Sequence, residues 1–378
     1  MRAVFIALGG LSAMAVAVGI GRFVYTPILP LMVEDLGMTK SAAGLVASAN
    51  FAGYLAGALA AALPSLPGSR RRWLIAALVM SALTTAAMAV PSSIAAFVLL
   101  RFVGGVASAF GLVFSSALVL DRLSAMGRPR LAALHFAGVG TGVAIDAVLA
   151  EVLSARGWRV LWLSAGLVSV LAVAVAAAAI PDRSGGAATA SSTRGARAPL
   201  ASLVVAYGLF GFGYIITATF LVAIVRGSPE VKPIEPLVWL IVGLTAAPSV
   251  AVWTLIESRL GISRAFALAC TLEAIGVAAS GLWIERLGIL LAAALLGATF
   301  MGITALGLIW GRRLAQGDPR SILAMMTAAF GLGQIIAPTL AGVAFDATGT
   351  FVLPSVAAAA ALLVAAILAL RRGAGPAP

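Results

Sequence analysis

Apolar runs longer than a bilayer is thick recur along almost the whole chain, and that feature restricts the fold more than any other. A helix needs about 20 apolar residues to cross a hydrocarbon core of about 30 Å. Lipid offers backbone N–H and C=O groups no partners, so only helices and closed barrels can span it. Barrel strands alternate over about 10 residues, whereas these runs are continuous, so an all-α integral membrane fold is predicted. Charge agrees: 10% of the 378 residues are charged and 62% are hydrophobic, against about 25% charged in soluble domains. A water-soluble enzyme, a DNA-binding module, a disulfide scaffold and a disordered chain are excluded. The net charge of +12 does not imply nucleic acid, because the basic residues lie in short gaps between runs and not on one folded face. The single cysteine, Cys270, sits inside a run, which removes disulfides and thiolate clusters. With one histidine besides, no transition-metal site and no cofactor is expected. The first stretch, Ala3 to about Val33, exceeds a signal-peptide core and reads as a retained span.

Counting runs and the polar punctuation between them predicts twelve helices. Six lie near 3–33, 41–66, 73–90, 93–120, 130–151 and 158–180, and six near 200–226, 235–256, 264–283, 287–311, 320–345 and 350–370. The one long polar stretch, 181–199, reads as a flexible linker between halves 1–180 and 200–378. The halves look duplicated. Gly19-Ile20-Gly21-Arg22 reappears as Gly211-Phe212-Gly213-Tyr214, Gly138-Val139-Gly140-Thr141 as Gly331-Leu332-Gly333-Gln334, and Gly104 as Gly297, at offsets of 192 or 193. Six spans per half would give both copies one orientation. With both termini cytoplasmic, 17 Lys and Arg fall inside and 6 outside, as the positive-inside rule asks.

Two parallel six-helix halves joined by a cytoplasmic linker resemble the plan of the major facilitator superfamily. The chain resembles more specifically its YbfB/YjiJ-like branch, through GIGRFVYTPILP (19–30), ASANFAGYLAGAL (47–59), RFVGGVASA (101–109), HFAGVGTG (135–142), YGLFGFGYIITATFL (207–221) and TAAFGLGQIIAPTLAG (327–342). The resemblance covers essentially the whole chain. It implies alternating access in a bacterial inner membrane, with spans 1, 4, 7 and 10 around a central cavity. Arg101 followed by Gly104 and Gly105 matches a fourth-span pattern linked to proton coupling. Two departures weigh against drug efflux: SLPGSRRRW between spans 2 and 3 lacks the acidic residue of the usual gating motif, and the fifth span has no Pro in its glycine string.

Ionisable groups inside spans cost several kcal/mol unless they meet water or a partner, so each is a candidate site. Arg22 and Arg101 fall at similar, near-middle depth, and two guanidinium forks would hold a carboxylate or phosphate; the alternative is that they tie spans together. Tyr25, three residues after Arg22, and Tyr214, its counterpart in the second half, are candidates to orient the cargo, with Asn50 and Gln334 at mid-depth in spans 2 and 11. Asp146 and His135, three turns apart on span 5, are candidate proton carriers, joined by Glu273 of span 9, for which a bond to a neighbouring helix competes. No catalytic cluster, nucleotide loop or sensing domain appears, so a membrane enzyme or non-transporting receptor is set aside. The sequence therefore predicts a non-enzymatic, proton-coupled symporter of a small organic anion, acting as a monomer, with export of amphipathic compounds as the alternative.

Overall fold

The computed structural model describes residues 2–63, 66–182, 199–315 and 320–371. Among them every apolar run of the sequence is helical: α1 (Arg2–Leu36), α2 (Lys40–Ala61), α3 (Arg70–Ala87), α4 (Ile94–Ala125), α5 (Ala132–Leu153), α6 (Trp158–Ala179), α7 (Pro199–Arg226), α8 (Glu235–Leu260), α9 (Ile262–Leu282), α10 (Arg286–Leu314), α11 (Arg320–Thr348) and α12 (Val352–Leu370). Eleven are long and apolar enough to cross a membrane; α3, with Arg70, Arg71 and Arg72 in its first turn, is the shortest and falls outside that set. Hydroxyl caps set several starts: Thr39, Ser69 and Ser93 accept from the backbone N–H three residues on, satisfying a donor that the first helical turn leaves free. The predicted ends shift by a few residues. α2 stops at Ala61, ahead of Pro64, while α4 runs on to Ala125 because Asp121 and Arg122 extend the helix into water without breaking it. Large exposed side chains such as Leu171, Leu255 and Leu287 stud the outer surface, as a lipid-solvated bundle requires. The linker expected at 181–199 lies almost wholly outside the described residues.

Helices α1 to α6 pack among themselves, α7 to α12 among themselves, and the halves meet along α1/α7, α2/α11 and α5/α8. The α2/α11 seam is close: a Cβ on Gly44 would come within 2.2 Å of the Pro338 carbonyl oxygen. Only a residue without a side chain lets the two backbones approach so far. α1 is irregular midway, with a π-helical stretch at Ala15–Ile20 and an interruption at Val24. Pro27 and Pro30 follow, each removing an N–H that a carbonyl one turn back would otherwise receive. The cross-half hydrogen bonds and ion pairs of the described residues run from Arg22, within this irregular stretch, to the start of α2 after the first inter-helix loop. Thr26 donates to the Ala218 carbonyl at 2.6 Å, and the hydroxyls of Ser48 and Thr339 are 2.9 Å apart. Asp346 of α11 accepts from the backbone N–H groups of Lys40 and Ser41 at 3.0 and 2.9 Å, capping α2 from the other half. Arg226 of α7 reaches Glu34 of α1 at 3.9 Å. The fold is thus clasped at the end that carries the 37–39, 227–234 and 349–351 loops.

Candidate functional site

The irregular midpoint of α1 places Arg22 and Arg101 side by side but gives them different partners. Arg101, on α4, is 4% exposed, and its two terminal nitrogens donate to the carbonyls of Gly21 and Arg22 at 3.0 and 2.9 Å. These bonds satisfy backbone carbonyls in the short helical turn between the π-helical stretch and the interruption at Val24, as buried carbonyls require. Tyr25 and Asn50 join this tie. Tyr25 donates to the Ala43 carbonyl at 3.0 Å with its ring 5.2 Å from the Arg101 guanidinium carbon, and Asn50 donates to the Arg101 carbonyl at 3.0 Å. Spacing put Tyr25 on one face with Arg22; instead its hydroxyl is spent on α2 inside the N-terminal half.

Arg22, 6% exposed, turns the other way. Its Nη2 donates to Gln334 Oε1 of α11 at 3.2 Å across the junction of the halves, and Gln334 in turn donates to the Tyr214 hydroxyl of α7. The guanidinium carbon lies 4.4 Å from the Tyr54 ring centroid and 5.0 Å from that of Phe51, so aromatic faces shield the cation. Among the described residues no carboxylate forms an ion pair with Arg22 or Arg101, and the Nε–H of each has no acceptor. Three of the six candidates for holding cargo, Arg22, Gln334 and Tyr214, therefore meet at one point where the halves join.

Aromatic rings that the sequence did not single out complete the surroundings. Tyr214 stacks nearly parallel between Phe300 and Phe330, at 5.9 Å from each. Phe23 of α1 meets Phe300 edge-on at 5.6 Å and Trp239 of α8 at 6.5 Å. Phe23, Val143, Tyr214, Trp239 and Phe300 enclose a gap of about 10 Å³, room for one water. Trp239 also borders a 210 Å³ crevice nearer the clasped end, beside Pro27, Glu151, Arg226 and Lys232. Its side chain lines both spaces, and its buried indole N–H has no acceptor. Such rings carry no signal in an apolar run, since a core phenylalanine and a lipid-facing one are written alike.

The proposed proton carriers are dispersed. Asp146 on α5 and Glu273 on α9 are at most 1% exposed, and their carboxyl oxygens have no hydrogen-bond partner among the described residues. α9 packs against α10, α12 and α7, so Glu273 is interior to the C-terminal half. His135 is fully buried among α1, α4 and α5, sharing a hydrogen bond with Ser116 at 3.2 Å, its ring against Gly10. It links helices and does not meet Asp146. No group of three or more His, Cys, Asp or Glu suited to a metal occurs among the described residues.

A search of curated proteins returns no significant match. Among solved structures, a point mutant of the nucleoside transporter NupG superposes with a TM-score of 0.74 at 14% identity, over 97% of this chain and 99% of that one. Another NupG structure gives 0.71 at 13% identity, over 99% and 100%. Both likenesses concern the fold. The sequence itself matches, over residues 14–370, the family described as "Uncharacterised MFS-type transporter YbfB", so the chain belongs to this family of major facilitator superfamily membrane transporters.

Proposed function

We propose that the protein is a proton-coupled symporter of a small organic anion, in which two parallel six-helix bundles, twelve spans in all, rock about the Arg22 site. One observation carries this reading: Arg22 is buried at the junction of the halves with an amide as its side-chain partner and no carboxylate paired to it. A cation in such a place is expensive unless an anion or water completes its shell, and a carboxylate on the guanidinium fork is a better partner than one amide oxygen. Arg101, already committed to two carbonyls, is read as a positioning residue that shapes α1 around the site, with Tyr25 and Asn50. Asp146, and after it Glu273, are buried carboxyls free to exchange a proton; His135 is read as an inter-helix tie. Duplication is supported by matching crossings: Gly19 of α1 meets Gly142 of α5 as Gly333 of α11 meets Gly208 and Phe212 of α7. With both termini in the cytoplasm of a bacterium, the clasped end faces outward and cargo reaches Arg22 from inside. One copy supplies both halves of the site, which favours a monomer.

The test is a thermal-shift screen of the purified protein against small carboxylates, amines, sugars and nucleosides, since a ligand that binds only the folded state raises its apparent stability. Carboxylates alone should stabilise it, and Arg22→Ala should abolish the shift. A second reading, a nucleoside as cargo, draws on the Gln334 amide beside stacked rings and on what the NupG structures are named to transport. Stabilisation by uridine or adenosine but by no anion would establish it in place of the first.

A further inference from the structure

The gap beside Tyr214 narrows the kind of anion. Its walls are aromatic on three helices of one half, Tyr214 of α7, Trp239 of α8 and Phe300 of α10, and on one helix of the other, Phe23 of α1. Two donors there have no acceptor: the indole N–H of Trp239, a wall residue, and the Nε–H of Arg22, which precedes the wall residue Phe23 in α1. Donors without acceptors select an acceptor-only group, which among small organic ions means a carboxylate or phosphate. Flat walls select a flat body, because ring faces gain most from another ring in offset or edge-on contact.

We propose that the cargo is an aromatic carboxylate, its ring held among Phe23, Trp239 and Phe300 and its carboxylate turned to Arg22 and the Trp239 N–H. The proposal rests on the anion reading above and adds the demand for a ring. With a volume of about 10 Å³ the gap is too small for a benzene ring, and the arrangement shows how it would widen. Phe23 and Val143 belong to the N-terminal half and the other walls to the C-terminal half, so separating the halves lifts Phe23 from Phe300 and opens a slot one ring wide. An aromatic guest would replace the edge-on contact of Phe23 as the halves part and return.

Binding to the purified full chain in detergent tests this, followed by thermal shift and by Trp fluorescence. Four probes of similar size separate ring from charge: benzoate, indole-3-carboxylate, cyclohexanecarboxylate and benzamide. Both aromatic acids should bind at least tenfold tighter than cyclohexanecarboxylate and than benzamide. Phe300→Leu should erase the preference for benzoate over cyclohexanecarboxylate, and Trp239→Leu serves if that variant does not fold. Equal affinity for benzoate and cyclohexanecarboxylate would overturn the aromatic proposal and leave the anion reading standing. Benzamide binding as tightly as benzoate would overturn the role of charge, and with it the anion reading too. Failure of both aromatic acids to bind, with aliphatic acids still stabilising the protein, would overturn the proposal alone.

Discussion

Arg22 and Arg101 carry the same side chain at nearly the same depth, and their partners divide them. Two carbonyl bonds from a charged donor contribute about 1.5 to 3 kcal/mol each, so Arg101→Ala should cost about 3 kcal/mol or more and lower the melting temperature whether or not a ligand is present. Arg22 spends one terminal nitrogen on Gln334, so its loss should be felt in binding first. Arg22→Lys keeps the charge but loses the fork: affinity for the stabilising anion should fall by about 1 to 3 kcal/mol while the unliganded melting temperature holds. If Arg22→Ala binds normally but melts early, the arginine is a tie like Arg101. If Asp146 carries the coupled proton, the amide in Asp146→Asn fixes one protonation state, so pH-driven transport in proteoliposomes should vanish while exchange at equal pH persists; uphill transport in that variant would shift coupling to Glu273. Arg22, Gln334 and Tyr214 were legible because a polar group inside a span is costly and the offset of 192 to 193 paired the halves. Phe300, Trp239 and Phe330 were not, because their meaning comes from stacking across helices far apart in sequence.

Among the helices, glycine crossings within a half and between halves should respond differently to the same change. Gly19 sits where α1 crosses α5, and a Cβ there would lie 2.7 Å from the Gly142 Cα. Both helices belong to one half and their contact persists through any rocking, so Gly19→Leu should unfold or destabilise the protein by several kcal/mol, as overpacking against rigid backbone does. Gly44 lies on the α2/α11 seam between halves. There Gly44→Leu can be relieved by parting the halves at the clasped end, so the protein should fold, with a cysteine placed near Lys40 or Asp346 becoming reactive to a water-soluble maleimide. A folded Gly44→Leu protein with no gain in labelling would mean that the seam does not move. The run of apolar residues made each helix legible, with ends shifted by caps, prolines and terminal charges. The π-helical stretch at Ala15–Ile20, where Gly19 crosses Gly142, was hidden, since it has no local residue signature.

At the scale of the whole molecule, the charge count and the clasp make linked demands. With 17 basic residues assigned inside and 6 outside, a reporter fused after Arg372 and one inserted near Ser191 should both be cytoplasmic; a periplasmic signal at either would overturn the twelve-span topology. In the proposed orientation the clasped end faces out, and a transporter that alternates must release it once per cycle. Ser48 and Thr339 offer the means to hold it shut: their hydroxyl oxygens, from opposite halves, are 2.9 Å apart, close enough for sulfur atoms at those positions to form a bond of about 2.05 Å. The native Cys270 is buried and does not compete. In the Ser48→Cys, Thr339→Cys double variant, oxidation should join the halves in high yield, transport should fall to background, and dithiothreitol should restore it, while each single variant keeps its activity under oxidant. Anion binding should survive oxidation, because the lock leaves the Arg22 site reachable from the unclasped side. Oxidised, cross-linked protein that still transports at the reduced rate would show that the halves need not part at this end, and the rocking mechanism would fall with it.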